Sequence, residues 1–341
     1  MKKKDIRDLS LEELEEFFLH HKIKKFRIKQ LNNWIWKKGS TSFSLMTSLS
    51  KDIRNLLTDH FTINAISIDR KLKSVDGTIK YSFILQDKNL IEGVLIPSRD
   101  RVTACVSSQS GCSLNCSFCA TGTLKLKRNL TYYEIYDQVY LLNEQCKKYF
   151  NKPLSNIVYM GMGEPLLNYN NVLNSIEKIT SSEGMGISNQ RVTLSTVGLP
   201  KMITKLADKE VKFNLAVSLH SAINETRSKI MSINDSQDLL KLKKSISYFY
   251  EKTKTRITYE YILLEGVNDD LHSAKKLADF CKTSPCKINL IEYNIVKGSS
   301  FKKSSNTKQF MSFLRNKNLI VNLRKSKGED INAACGQLIN N

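Results

Sequence analysis

The part of the chain after about residue 100 alternates strand-like with helical runs, and this alternation restricts the fold more than any other feature. Apolar runs typical of buried strands lie at residues 102–107, 157–160, 192–195, 213–218, 257–264 and 288–292. Helical patterns fill the intervals, at residues 132–149, 172–182, 239–252, 271–282 and 307–316. Alternating strands and helices predict a parallel sheet. Because six units are too few for a closed eight-stranded barrel, we expect an α/β fold with an incomplete (β/α)6 TIM-like barrel.

The residues before this alternation predict two further units. Residues 1–60 are expected to form a helical accessory domain, since Ser10 and Glu13 match a capping box in front of an apolar run. Residues 61–97 alternate in short runs separated by turn signals, which predicts a β-ribbon linker. The barrel core and a C-terminal segment then occupy residues 98–341.

Unusual polar motifs follow the predicted strands. In barrels of this kind the chemistry gathers at the carboxyl ends of the strands. The motifs that follow the six strands in turn occupy residues 112–119, 161–166, 195–198, 218–221, 265–268 and 293–294. We therefore expect one site at the mouth of the barrel, built from all six strand ends.

Three cysteines, Cys112, Cys116 and Cys119, form a C-x3-C-x2-C run after the first strand. A compact set of three thiolates holds a cubane iron–sulfur cluster with one iron left open to a small molecule. The spacing differs from the C-x2-C-x2-C of ferredoxins and lacks the paired C-x2-C knuckles of zinc ribbons. It resembles the signature of radical S-adenosylmethionine (SAM) proteins. A zinc site completed by a distant residue, or three ordinary buried cysteines, remain alternatives.

Further candidates follow the later strands. Glu164 could accept hydrogen bonds from an ammonium group, and Gly163 allows close approach of the backbone to a ligand. Their run lacks the third glycine of the dinucleotide-binding fingerprint, which argues against nicotinamide. Ser195, Ser218 and Asn294 are suited to ribose hydroxyls or a carboxylate, although such residues also fill turns and caps.

Two cysteines and a histidine complete the candidate set. Cys335 lies among small residues near the C-terminus, and Cys105 ends the first strand. Two thiols that meet over one mouth suit a covalent intermediate resolved by disulfide exchange. Burial as small apolar residues is equally consistent with their spacing. His220 fits a ligand, a cofactor contact or a satisfied buried histidine, and we expect a contact through its backbone rather than metal ligation.

Charge and cysteine usage indicate the partners. The chain carries 53 Lys and Arg against 33 Asp and Glu, a formal charge of +20, which predicts a polyanionic partner such as nucleic acid. The basic residues are dispersed, so charge alone locates no binding surface. Eight cysteines in 341 residues are too sparse for a disulfide scaffold and favour a reducing compartment. With no secretory or membrane-spanning run visible, we expect a cytoplasmic protein with no membrane partner.

Taken in order, the motifs resemble those of the RlmN/Cfr family of radical SAM RNA methyltransferases. The matching runs are the cysteine triad, Gly-Met-Gly-Glu-Pro-Leu-Leu-Asn at 161–168, Ser-Thr-Val-Gly at 195–198, Ser-Leu-His-Ser at 218–221 and the tail at 324–338. The likeness extends to Phe-Arg-Ile-Lys-Gln at 26–30. It implies methylation of C2 of an adenine in 23S rRNA and of the adenine 3′ of the anticodon in tRNA.

The resemblance also implies cofactors and a mechanism. A [4Fe–4S] cluster on Cys112, Cys116 and Cys119 would work with two SAM molecules per turnover and a reducing electron donor. The first SAM methylates Cys335, and the second is cleaved to a radical that takes hydrogen from the S-methyl group. The carbon radical then adds to adenine. Attack of Cys105 on Cys335 forms a transient disulfide and releases the product.

The remaining roles follow from the same resemblance. The proton acceptor falls on Glu92, which without the resemblance would read as a strand-face carboxylate. The SAM contacts fall on Gly163, Glu164, Ser195, Ser218, Leu219, His220 and Asn294. The helical domain and the basic groups would hold RNA, and a monomer is expected.

Two rival functions differ from this expectation. A Cfr-type enzyme would methylate C8 of the same ribosomal adenine, but Pro-Leu-Leu-Asn at 165–168 and the extended N-terminal domain favour the C2 enzyme. A non-catalytic, metal-containing RNA-binding protein belongs to a different class. Iron, sulfide and zinc analysis separates that class from a radical SAM enzyme.

Overall fold

The structure, a computed structural model, describes residues 3–339. The ends of the two predicted terminal domains, residues 1–2 and 340–341, lie outside the described residues. The helices are α1 (Leu11–His20), α2 (Phe26–Asn32), α3 (Lys51–His60), α4 (Tyr132–Phe150), α5 (Tyr169–Thr180), α6 (Pro200–Asp208), α7 (Asn224–Ile230), α8 (Leu239–Thr253), α9 (Leu271–Phe280) and α10 (Thr307–Asn316).

The strands are mostly short, and ten of them share one sheet. They are β1 (Lys4–Asp5), β2 (Phe61–Thr62), β3 (Ser67–Lys73), β4 (Ile79–Ile84), β5 (Leu90–Pro97), β6 (Val102–Cys105), β7 (Gln109–Ser110), β8 (Arg128–Asn129), β9 (Asn156–Tyr159), β10 (Val192–Thr196), β11 (Asn214–Ser218), β12 (Ile257–Leu263), β13 (Cys286–Glu292) and β14 (Val321–Arg324). The ten-stranded sheet has the order β14-β13-β12-β11-β10-β9-β6-β5-β4-β3.

The barrel is the parallel part of this sheet. Parallel pairing runs without interruption from β6 through β9, β10, β11, β12 and β13 to β14. The incomplete (β/α)6 barrel predicted from the sequence is therefore confirmed. It carries a seventh parallel strand that the prediction omitted, since β14 pairs Val321 with Ile288 of β13.

Continuous burial explains why these runs form central strands. All seven residues of β12 are buried, and the β-branched and aromatic side chains among them suit a strand that is covered on both faces. The predicted β-ribbon is present as β3, β4 and β5. Its last strand pairs antiparallel with β6, where Val94 lies opposite Cys105, so the ribbon extends the barrel sheet.

The helices agree with their sequence signals, with two omissions. Predicted helix 132–149 is α4, and predicted helix 307–316 has the same bounds as α10. The helices α6 and α7 were not predicted; α7 is short and its first residue follows Ile223, which provides no side-chain cap. Among residues 3–339, no helix is both long enough and apolar enough to cross a membrane.

Local hydrogen bonds and steric contacts determine where the N-terminal helices begin and end. Ser10 Oγ accepts from the Glu13 amide at 3.1 Å, and Glu13 Oε2 accepts from the Ser10 amide at 2.6 Å, which completes the predicted capping box. After α2 the chain continues as a π-helical turn, Asn33–Lys37. Gly39 follows with φ of +57°, and a Cβ there would lie 2.2 Å from the Tyr140 ring of α4. A larger residue at this junction would be strained in φ and would displace the Tyr140 ring.

A buried ion-pair network attaches the N-terminal helices to the barrel. The Arg7 guanidinium contacts Asp5 and Asp137 of α4, each at 3.0 Å. Burial lowers the pKa of Arg7, but the two carboxylates outweigh burial and raise it above its usual range. Burial in turn raises the pKa of Asp137, against the opposing effect of Arg7. The cation is therefore permanently charged and joins two parts of the molecule.

Arg7→Met should destabilise the protein by about 3–5 kcal/mol, because it leaves two carboxylates without their cation in a buried site. Lys4→Met is the matched control, since the Lys4–Glu13 pair is about half exposed and should contribute less than about 1 kcal/mol. Urea unfolding followed by tryptophan fluorescence measures both, as Trp34 and Trp36 lie in the affected region. Equal stability of the two variants would contradict the docking role of Arg7.

Candidate active site

Two adjoining cavities open at the carboxyl ends of the barrel strands. The first, of about 150 Å³, is lined by the strand-end motifs, including Glu164, Ser195, Ser218 and His220. The second, of about 120 Å³, lies toward the ribbon and is lined by Cys105, Asn294 and the tail. The wall common to both consists of Cys119, Met160, Gly161, Ile291, Arg324, Cys335 and Gly336. The exposed Cys335 thus stands between the two spaces.

The cysteine triad lies in the loop between β6 and α4. Tight turns order this loop, because the Cys119 amide donates to the Cys116 carbonyl at 3.1 Å and the Gly122 amide to the Cys119 carbonyl at 3.0 Å. A Cβ at Gly122 would lie 2.8 Å from the Cys116 carbonyl oxygen. The loop is also held from outside, since Ser117 donates to the Ile230 carbonyl at the end of α7.

The three thiols share an apolar environment. Their nearest packing partners include Leu114, Ile230, Met231, Ile262 and Ile291. Burial raises the pKa of all three thiols and outweighs the local hydrogen bonds that lower the pKa of Cys112 and Cys119. Three thiolates in such a place require a positively charged group among them.

Glu164 lies on the wall of the first cavity with both carboxylate oxygens engaged. Oε2 accepts from the Val197 amide at 2.8 Å and Oε1 from the Leu166 amide at 3.0 Å. Burial raises the pKa of Glu164 to about 7, while these hydrogen bonds oppose the shift. Each carboxylate oxygen has a second lone pair, so the group can still accept from a ligand ammonium.

The glycines beside Glu164 are required by neighbouring protein atoms. A Cβ at Gly161 would lie 2.7 Å from the Val106 carbonyl, where β6 ends. Gly163 has φ of +92°, and a Cβ there would lie 2.5 Å from the Gln109 side chain. The turn after β9 therefore packs directly onto the segment that leads into the cysteine triad, and Gly161 and Gly163 line the first cavity.

His220 is a satisfied, buried histidine that contacts the cysteine loop. Its Nδ1 accepts from the Ile262 amide at 3.1 Å, and its ring meets Phe118 edge to face at 4.7 Å. Burial, with the nearby Arg227 charge, lowers the pKa of His220 to about 3. The imidazole is therefore neutral, and the lone pair of its Nδ1 is occupied by the Ile262 amide.

The other predicted SAM contacts are divided between the cavities. Ser195 and Ser218 line the first cavity together with Gly163. Leu219 is fully buried beside them, and its amide donates to the Glu260 carbonyl at 3.0 Å. Asn294 lines the second cavity, and its Nδ2 donates to the Cys335 carbonyl at 3.1 Å.

The tail crosses the mouth and brings Cys335 to Cys105. The Ala120 amide donates to the Gly336 carbonyl at 2.6 Å, and Thr121 Oγ1 donates to the Leu338 carbonyl at 2.7 Å. The cysteine loop and the tail are therefore directly joined. Burial and the neighbouring Cys335 raise the pKa of Cys105 to about 12, while Arg324 acts in the opposite direction.

Two arginines at the site were not singled out from the sequence. Arg324 ends β14 between the cavities and pairs with Glu260 at 3.2 Å. The charge of Cys335 is the largest influence on Arg324 and raises its pKa. Arg227 is fully buried, and its Nε donates to the Leu219 carbonyl at 3.0 Å. The signal available for Arg324 was its place at the start of the tail motif, since β14 was not predicted.

Glu92 lies under the tail rather than on a cavity wall. It is 1% exposed, and its carboxylate meets Lys80 at 3.1 Å and the Ile339 amide at 3.0 Å. The structure thus places Cys335, Cys105 and Cys119 around common space, with Glu92 behind the tail that covers them.

Comparisons with known proteins agree with this arrangement. The model of the Radical SAM superfamily matches residues 106–278, which include the cysteine triad and four of the strand ends. A solved structure of a radical SAM methyltransferase from Sphaerobacter thermophilus is similar, with a TM-score of 0.93 at 35% identity over 99% of this chain and 100% of that chain. The fold and the site define a radical SAM protein.

Full-length relatives narrow the class. The chain is 54% identical to a probable dual-specificity RNA methyltransferase RlmN of Cytophaga hutchinsonii, over 99% of this chain and 93% of the relative. It is 42% identical to the dual-specificity RNA methyltransferase RlmN of Buchnera aphidicola, over 99% of this chain and 96% of the relative. Residues 4–63 match the ribosomal RNA large subunit methyltransferase N-terminal domain. The chain belongs to the RlmN family of radical SAM proteins.

The family implies an iron–sulfur cluster and SAM, and the residues present fit both. Three thiolates in this largely apolar environment need a cationic partner, and Cys119 lies on the wall of the first cavity. Within the part of the chain that the structure describes, no three His, Cys, Asp or Glu side chains are grouped to hold a single metal ion.

Gly163→Ala should weaken SAM binding by at least about tenfold, because Gly163 lines the first cavity and the added Cβ combines a left-handed φ with a contact into the Gln109 side chain behind it. Gly186→Ala is the control for φ alone: it has φ of +67°, and no atom of the described residues lies within 4 Å of its added Cβ. Equilibrium dialysis of radiolabelled SAM against the reconstituted proteins gives both affinities. Equal loss in the two variants would contradict the close packing at Gly163.

Proposed function

We propose that this protein methylates C2 of a specific adenine in 23S rRNA and of the adenine 3′ of the anticodon in tRNAs. The observation that carries the proposal is the placement of Cys105 and Cys335 on one cavity, beside Cys119 of the triad. A methyl transferase that needed only to align SAM with a nucleophile would have no use for two thiols there. The electron-poor C2 of adenine cannot attack the methyl group of SAM directly, so a thiol carrier and radical chemistry are needed.

The cofactors of this proposal are one [4Fe–4S] cluster and two SAM molecules per turnover. Cys112, Cys116 and Cys119 would hold the cluster through their three thiolates, a number that would leave room for SAM as a further ligand. When bound, the cluster and SAM supply methyl transfer and hydrogen-atom abstraction, with electrons from a reducing donor. The protein positions the reactants and excludes water around them.

Cys335 carries the methyl group, and Cys105 releases the product. The exposed Cys335 can reach SAM in the first cavity and RNA in the second. After the carbon has joined adenine, one electron returns to the redox cofactor and the C2 proton is removed. The Cys105 sulfur, as thiolate, then attacks the Cys335 sulfur. An S–S bond forms as the C–S bond breaks, and the bonding pair passes to the methylene carbon, which takes up a proton to become the methyl group. The buried Cys105 is held as a neutral thiol until that step, since burial raises its pKa. An external thiol reductant then restores both cysteines.

Glu92 accepts the C2 proton, and the strand ends bind SAM. The carboxylate of Glu92 lies directly behind the tail segment that carries Cys335. The SAM contacts are Gly163, Glu164, Ser195, Ser218, Leu219, His220 and Asn294. Support comes from the first cavity, which contains five of these residues on its wall.

RNA binds across the mouth and the N-terminal domain. Lys325 and Lys327 line the second cavity, and exposed Lys125 and Lys127 lie in the cysteine loop. These cations suit phosphates, so binding should weaken with salt. The target adenine must leave its stack to reach the thiols.

The domains divide this work. Residues 1–60 form the RNA-binding accessory domain, residues 61–97 the β-ribbon linker and residues 98–341 the catalytic core. The protein acts as a cytoplasmic monomer.

Variants of the two cysteines should fail at different steps. Cys335→Ala should abolish methylation while SAM cleavage continues, and Cys105→Ala should let a covalent RNA adduct accumulate. Cys146→Ala is the matched control, since Cys146 is buried in α4 away from both cavities. Gel mobility of the RNA and chromatography of the SAM products distinguish the outcomes. Full turnover in either active-site variant would refute the assigned roles.

The position of methylation decides between C2 and C8. Reconstituted enzyme is incubated with SAM, reductant and either 23S rRNA or tRNA, and the nucleosides are separated by mass spectrometry. We expect 2-methyladenosine from both RNAs. Formation of 8-methyladenosine would support the Cfr-type reaction instead. Zinc without iron or sulfide in anaerobically purified protein would support a non-catalytic role.

A further inference from the structure

Lys80 and Glu92 form a buried ion pair on the ribbon beside the barrel. They lie diagonally on adjacent antiparallel strands, because Ser82 of β4 is opposite Glu92 of β5. The Lys80 Nζ and Glu92 Oε1 are 3.1 Å apart, and the two side chains are 6% and 1% exposed. Burying two charges is costly, and apolar residues of similar size would pack here without that cost. The pair therefore calls for a role beyond joining two strands.

Each member of the pair also binds the tail. Lys80 Nζ donates to the Asn332 carbonyl at 3.2 Å, and Glu92 Oε2 accepts from the Ile339 amide at 3.0 Å. Cys335 lies between these two points in the sequence. The ion pair thus holds both ends of the segment 332–339, which presents Cys335 to the cavities.

Other contacts hold the middle of the same segment. The Cys335 carbonyl accepts from Asn294, and the Gly336 carbonyl accepts from Ala120 of the cysteine loop. A segment bound at its ends by the ribbon and in its middle by the barrel mouth has few positions open to it. The backbone of Cys335 is consequently held in place relative to the barrel mouth and the cysteine loop.

We propose that Lys80 is a positioning residue that fixes the Cys335 segment and the Glu92 carboxylate together. The inference rests on the proposed function and goes beyond it. When Glu92 Oε2 exchanges the Ile339 amide for the proton leaving adenine C2, Lys80 keeps Oε1 in place. Lys80 itself touches neither cavity and transfers no proton, so it acts through Glu92 and through the Asn332 carbonyl.

The structural part is tested without turnover, by hydrogen exchange of the full-length, reconstituted protein in the absence of RNA. Lys80→Met should make amides of residues 333–338 exchange at least about tenfold faster. Lys80→Arg, which keeps the cation, should restore most of the protection. Lys73→Met is the control, because Lys73 is exposed on the adjacent strand β3. Unchanged exchange in Lys80→Met would overturn the proposal.

A second pair of variants keeps the test valid where Lys80→Met fails to fold. Ile339→Pro removes the amide that Glu92 accepts, whereas Ile339→Ala keeps it, and neither alters the ion pair. Thermal unfolding verifies that each variant is folded. We expect faster exchange of residues 333–338 in Ile339→Pro than in Ile339→Ala. Equal exchange rates in the two variants would refute the claim that Glu92 holds the tail in place.

The functional part of the proposal is measured as a ratio of two products, because a general loss of folded protein lowers both products and leaves their ratio unchanged. In Lys80→Met, 2-methyladenosine formed per SAM cleaved should fall at least about tenfold, and Lys80→Arg should recover most of it. An unchanged ratio would refute positioning of Glu92. If the unmodified protein makes no 2-methyladenosine, the proposed function fails, while the exchange experiment still decides whether Lys80 fixes the tail.

Discussion

Parallel pairing is the constraint on which the rest of the structure depends. Because β6 and β9 to β13 run in one direction, the residues that follow them reach the same edge of the sheet. The strand register also aligns individual residues, since Ser218 at the end of β11 pairs with Glu260 in β12. Residues more than 150 positions apart in sequence, such as Cys119 and Arg324, thereby share one wall. Chemistry at the mouth follows from strand direction before any side chain is considered.

Local signals in the sequence were sufficient for much of the fold. Strand periodicity and helix amphipathicity gave the order of the barrel, and the Ser10–Glu13 pair gave the start of α1. Two of the missed elements, α7 and β14, have weak local signals, whereas α6 was missed although it begins with a proline and is amphipathic. The helix α7 has seven residues and no side-chain cap, and β14 alternates apolar with polar residues after a helix. Their structure is decided by packing onto the barrel, which no short window of sequence contains.

The candidate site was likewise predictable only in part from the sequence. The cysteine spacing identified Cys112, Cys116 and Cys119, and small neighbours drew attention to Cys335. The sequence could not show that Gly161 and Gly163 are required by the backbone of β6 and by Gln109, because that contact joins two strand ends. Lys80 gave no signal, since its partners lie 12 and 252 positions away along the chain. Long-range hydrogen bonds, rather than motifs, determine how the identified residues are arranged.

The hydrogen bond from Thr121 to the Leu338 carbonyl spans 217 positions and has a consequence for biosynthesis. During translation the cysteine loop emerges long before the tail, and domains fold as they leave the ribosome. The nascent barrel therefore has an uncovered mouth while the last segment is still in the exit tunnel. The thiols of the loop are uncovered during that interval. The hydrogen bond to the Leu338 carbonyl forms only after the tail has left the tunnel.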